Sequence, residues 1–121
     1  MDENLDVQIE QVGDAAVISF NAVSLCDIAG IERVSKQVRQ YLADKRPRKI
    51  VIDFSQVKFF TSQTLGLLLD IWRKLEAEGG QVVISGINPQ LHRVFKITNL
   101  DKIFKFFADR QAAIDAFENA K

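Results

Sequence analysis

The run 50–84, IVIDFSQVKFFTSQTLGLLLDIWRKLEAEGGQVVI, decides the fold. It opens on Ile50-Val51-Ile52-Asp53-Phe54, a short, almost unbroken apolar run rich in β-branched residues, and closes on Val82-Val83-Ile84 after Gly79-Gly80. Strands covered on both faces read this way, because neither face alternates with solvent. Between them Leu65, Leu68, Leu69, Trp72 and Leu75 recur at i, i+3, i+4, i+7 and i+10. That spacing predicts an amphipathic helix from about Leu65, with Gly79 just beyond it as a C-terminal stop. A strand, a crossing helix and a second strand make a βαβ unit with parallel strands.

Upstream, Val7 and Ile9 alternate with polar neighbours, Gly13-Asp14 offers a tight turn, and Ala16, Ile18 and Phe20 alternate again. This is the pattern of a hairpin with one buried face. Ile28, Ile31, Val34, Val38, Tyr41 and Leu42 then follow the helical period, with Ser24 or Asp27 as cap, until the cluster Lys45-Arg46-Pro47-Arg48-Lys49 ends the helix. Downstream, Asn88 as cap and Pro89 at the first helical position begin a short helix that holds Leu91, Val94 and Phe95. Residues 103–107 read as a last apolar strand, and 110–117 as a closing helix with Ala113, Ile114 and Phe117 on one side. The predicted order is ββαβαβαβα: an α/β fold whose mixed sheet combines an N-terminal hairpin with parallel strands and packs against about four helices. No linker or repeat divides it, so we expect one domain over 1–121 with its core at about 7–117.

Composition narrows the function classes. The chain has 121 residues, 47% of them hydrophobic, and sixteen Lys+Arg against sixteen Asp+Glu. Residues 1–49 carry 7 basic and 8 acidic side chains and 50–121 carry 9 and 8, so neither half is skewed. Binding to nucleic acid or to anionic lipid by general attraction is not expected of a chain so balanced. One cysteine, Cys26, and one histidine, His92, supply no disulfide and no metal-ligand cluster, and we expect no metal and no cofactor. The acidic stretch 1–10 is unlike a signal peptide and no apolar run approaches the roughly 20 residues that span a bilayer, so the expected location is the cytoplasm.

Catalytic patterns are missing too. There is no GxxxxGK[ST], GxGxxG, HExxH or GxSxG, and no acid, base and nucleophile come together, so we expect no catalytic residues and no enzyme. His92 reads as a surface or helix-end residue, and Cys26, next to Asp27, as a filler of small apolar space. What stands out is Phe59-Phe60-Thr61-Ser62-Gln63-Thr64-Leu65-Gly66, three hydroxyl residues between two phenylalanines and a helix start. Thr61 or Ser62 would serve as helix cap, Thr64 as an ordinary first-turn residue, and Gly66 as a mark of close packing.

These residues resemble a family, the STAS domain, and within it the bacterial anti-anti-sigma factors (anti-sigma factor antagonists). The family pattern is a strand ending in aspartate, an apolar pair, then Asp-Ser-[Ser/Thr]-Gly-Leu-Gly opening a helix that ends in glycine before the next strand. The matching residues are Ile50-Val51-Ile52-Asp53-Phe54-Ser55, Val57-Lys58-Phe59-Phe60, Thr61-Ser62-Gln63-Thr64-Leu65-Gly66 and Gly79-Gly80-Gln81-Val82-Val83-Ile84. The tail matches from Val94 to Phe104 and again over 112–117. Thr61 stands where the family has aspartate, and Thr64 where it has glycine. The resemblance implies that Ser62 is the phosphoacceptor. It implies a serine-kinase-type anti-sigma factor as partner, using its own ATP and magnesium, and binding only by the unphosphorylated form, which releases the sigma factor. We expect that partner to dock on Lys58, Phe59, Phe60, Thr61, Gln63 and Thr64, and the chain to be a monomer or weak dimer. The competing expectation is a STAS scaffold or small-ligand-sensing module that no kinase modifies.

Overall fold

The computed structural model describes residues 7–25 and 28–119; the expectations for Cys26 and for Asp27 as cap lie outside the described residues. Strands β1 (Val7–Val12) and β2 (Ala15–Phe20) form the antiparallel hairpin, with Val12 opposite Ala15 across Gly13-Asp14. A two-residue strand β3 (Ser24–Leu25) leads to helix α1 (Ile28–Lys45), then to β4 (Lys49–Asp53) and a second two-residue strand, β5 (Phe59–Phe60). Helix α2 (Ser62–Ala77), β6 (Gln81–Ser85) and α3 (Pro89–Ile97) follow. A 3-10 turn (Leu100–Lys102), β7 (Lys105–Phe107) and α4 (Arg110–Asn119) complete the order.

The main sheet runs β1-β2-β4-β6-β7, antiparallel only at β1–β2, while β3 and β5 pair in parallel as a small second sheet. Alternation along the central strands sorts side chains to two layers. Ile50, Ile52, Val82 and Ile84 face α1, α2 and α3, which contribute among others Val34, Val38, Leu68, Leu75 and Phe95. Val51 and Val83 face the opposite way, against Ala113, Ile114 and Phe117 of α4. Lys49 pins the end of α4, donating from Nζ to the Phe117 carbonyl at 3.3 Å. Among the described residues no helix is long and apolar enough to cross a membrane.

Three expectations are corrected. Strand β2 is buried along its whole length, not on one face: Ala15 and Val17 meet the α4 layer while Ala16, Ile18 and Phe20 meet the other. Its place between β1 and β4, with helices on both sides, is a tertiary fact that alternation alone does not carry. The buried line of α2 is Thr64, Leu67, Leu68, Ile71 and Leu75, whereas Leu65, Leu69 and Trp72 lie half-buried on its flank. The helix begins at Ser62, not at about Leu65, and the apolar cluster 67–69 fits more than one helical phase. Ile28, counted in the α1 stripe, is the first residue of that helix and stands 58% exposed.

Candidate functional site

Because β2, β4, β6 and β7 are parallel, their C-terminal ends share one pole, and α2, α3 and α4 start from it. In open α/β sheets that edge is where ligands and partners are met. The segment joining β4 to α2 crosses it and is held at three points. Phe54 and Val57 are buried, and the Val57 N–H donates to the Phe54 carbonyl at 3.0 Å. Asn88 donates from Nδ2 to the Val57 carbonyl at 3.2 Å while its Oδ1 accepts from Leu91 N at 2.9 Å, so one side chain caps α3 and ties down the loop. The N–H groups of Lys58 and Phe59 both donate to the Val23 carbonyl, at 2.7 and 3.1 Å.

Strand geometry then divides the phenylalanine pair. In β5 successive side chains point to opposite faces. Phe60 turns inward, its ring centroid 5.9 Å from both Phe54 and Phe95. Phe59 turns outward and is 57% exposed, beside the exposed Lys58 and the 49% exposed Val23, whose carbonyl holds its backbone. Sequence reasoning missed Val23, because it lies just ahead of a strand of only two residues, too short to show a period.

At the start of α2, Thr61 holds the N-cap position with extended backbone (φ −114°, ψ 176°), but its side chain bonds to no helix amide. Its hydroxyl oxygen is buried without a partner. Neither Thr61 nor Ser62 is therefore a side-chain cap: the Thr64 N–H donates to the Thr61 carbonyl at 3.0 Å, and the N–H groups of Ser62 and Gln63 are left without a capping side chain. Ser62 and Gln63 are exposed on that first turn. Thr64, expected at the partner surface, is fully buried, and its hydroxyl donates to the Leu25 carbonyl at 3.2 Å. It belongs to the frame that fixes α2 against β3, which withdraws it from any docking surface.

One turn beyond Ser62, Gly66 is exposed, and a Cβ built there would meet nothing within 4 Å. Close packing, the expected reason for this glycine, is absent. Gly66 instead lies in the floor of an open groove of about 550 Å³ between α1 and α2, with Gln63, Asp70, Lys36 and Arg39. Arg39 and Asp70 bridge the two helices at 3.2 Å. Since glycine inside a helix costs about 0.5–1 kcal/mol relative to alanine, Gly66→Ala should raise unfolding stability by that amount in urea titration. A destabilised variant would show that the site is more crowded than the free space indicates. His92, expected at the surface or a helix end, lies half-buried within α3 and packs its ring 4.3 Å from that of Phe106.

An exposed serine at a helix start and an outward phenylalanine thus share one pole of the sheet with a helix N-terminus that has no side-chain cap. The chain matches the STAS domain family model over residues 6–113, and it belongs to that family. It is similar to the anti-sigma F factor antagonist of Paenibacillus polymyxa, at 22% identity over 114 residues, covering 94% of this chain and 97% of that one. Among solved structures, an anti-sigma-factor antagonist (STAS) domain protein from Planctomyces limnophilus superposes with a TM-score of 0.82 at 25% identity, over 93% of this chain and 97% of that one. The Bacillus cell fate determinant SpoIIAA in its phosphorylated form matches with a TM-score of 0.75 at 25% identity, over 93% and 99%. These relatives are regulatory proteins, and the mixed five-stranded sheet with four helices is theirs as well.

Proposed function

We propose that this chain is an anti-sigma factor antagonist, one module over its whole length, whose unphosphorylated form binds a kinase-type anti-sigma factor in the cytoplasm. Binding frees the sigma factor, and phosphorylation of Ser62 ends it. The observation that carries the proposal is the exposure of Ser62 on the first turn of α2, at the pole where Lys58 and Phe59 also face solvent. The Ser62 Oγ attacks the γ-phosphorus of ATP held by the partner. The new O–P bond forms as the β–γ bridge breaks, ADP leaves, and a base of the partner takes the hydroxyl proton. The phosphate adds about −1.5 to −2 charge where the amides of Ser62 and Gln63, which have no capping side chain, and the helix dipole tolerate it, so the fold survives. A docked partner surface must desolvate or oppose that charge, and the complex is lost.

Incubation with candidate kinase-type anti-sigma factors and Mg-ATP, followed by site-mapped mass spectrometry, tests this directly. Phosphate should appear on Ser62 and vanish in Ser62→Ala; phosphate on Thr61 with Ser62 bare would move the acceptor. Stable binding with no transfer would favour the unmodified scaffold.

Phe59 is the apolar anchor of the proposed surface, and Lys58 is the charge that sets the association rate. Phe59→Ala should weaken the complex by at least about 1 kcal/mol while changing stability by no more than about 0.5 kcal/mol, because its ring faces solvent in the free protein. Titration calorimetry with an unchanged affinity would remove Phe59 from the contact.

A further inference from the structure

Asp53, at the C-terminal end of β4, is a carboxylate only 5% exposed. Its Oδ1 accepts from the Ser55 N–H at 3.0 Å and from Ser85 Oγ at 3.4 Å, and its Oδ2 accepts from Ser55 Oγ at 3.3 Å. Among the described residues the one cation paired with it is Arg110, the first residue of α4, whose Nη2 lies 2.6 Å from Oδ2. The same Nη2 donates to Ser19 Oγ at 2.8 Å, and Nη1 stands 3.5 Å from Glu10. Asp53 is crowded on the side of Gly86 (φ +69°), where a Cβ would fall 3.0 Å from Asp53 Oδ1 and 3.0 Å from Ser55 Cβ, while the Arg110 side chain reaches in from the surface, 42% exposed. Six segments meet here, and one of them is the Ser55 turn that begins the loop to Lys58 and Phe59.

We infer that Arg110 is a positioning residue for that loop: by neutralising Asp53 it keeps the Ser55 turn closed, and so fixes where Lys58 and Phe59 stand. The inference rests on the docking surface proposed above, deepening it, but it concerns the free chain. A buried carboxylate with three neutral donors and no cation is poorly compensated, and its cheapest relief is to draw in water by opening the turn it holds. The opening stays within the loop: it passes from the Ser55 turn along the short stretch to Lys58 and Phe59 and loosens their bonds to the Val23 carbonyl, while the sheet keeps its own ladders.

Amide exchange on the full chain, with no partner present, is the test. In Arg110→Met the amides of Val57, Lys58 and Phe59 should exchange about tenfold faster relative to those of β2 and α1. In the double variant Asp53→Asn/Arg110→Met, which removes both charges, they should return to within about threefold of the parent, a rescue that loss of packing alone would not produce. Arg110→Lys keeps the charge but not the two-point reach, and should accelerate the same amides by less. If Arg110→Met does not fold, Arg110→Lys carries the test alone. Equal acceleration throughout the sheet, no change over 55–60, or a double variant as open as the single one would each overturn the inference. Because no partner enters the experiment, its failure is separate from a failure of Ser62 to accept phosphate.

Discussion

Ser62→Asp is expected to weaken association with the proposed kinase-type partner at least about tenfold, while Ser62→Ala binds as the parent does and takes no phosphate. The effect is large because the residue belongs to the proposed docking surface, with the exposed Phe59 a few residues before it and the bare backbone of Gly66 one turn along α2. A carboxylate there keeps its solvation in the free protein, since Ser62 is exposed, and loses it only in the complex. The change therefore falls on the bound state and leaves the fold alone; an acid at the first turn of a helix is favourable to it. Interferometry on the two variants, with unfolding curves as control, reads both quantities. Equal affinities for Ser62→Asp and Ser62→Ala would separate the serine from the docking surface and sink the switch.

Leu68→Ala is expected to cost roughly 2–5 kcal/mol of stability, as removal of a fully buried large side chain does. Leu68 is 0% exposed, on the line of α2 that rests on the sheet layer of Ile50, Ile52 and Ile84. Leu65→Ala, three residues away on the half-buried flank, should cost distinctly less, since neighbours and water can collapse into the space. Urea titrations with an unchanged m-value would give the two numbers. Comparable losses, or a loss below about 0.5 kcal/mol at Leu68, would mean that the burial phase of α2 is other than described.

Much of this protein is legible in local sequence because the physics there is local. The unbroken runs at 50–54 and 82–84 mark strands covered on both sides, the hairpin turn at Gly13-Asp14 is where it was expected, and Asn88 with Pro89 opens α3 as capping chemistry dictates. Each of these depends on neighbours a few residues apart. The family pattern around Ser62 is likewise contiguous, so the family was legible from these residues alone.

What only the tertiary structure decided depends on partners far apart in the chain. Which of Phe59 and Phe60 faces inward follows from the pairing of β5 with β3, more than thirty residues upstream, and from the edge-to-face contact of Phe60 with Phe95. Thr64 was removed from the surface by a carbonyl at Leu25, and Gly66 proved free of any neighbour. The phase of α2 was settled by the layers it lies between, because a helix with leucine at 65, 67, 68 and 69 satisfies several phases equally and burial alone chooses among them. The pairing of Asp53 with Arg110 spans 57 residues and obeys no periodicity, since two charges are brought together only when the sheet and its last helix have closed on each other.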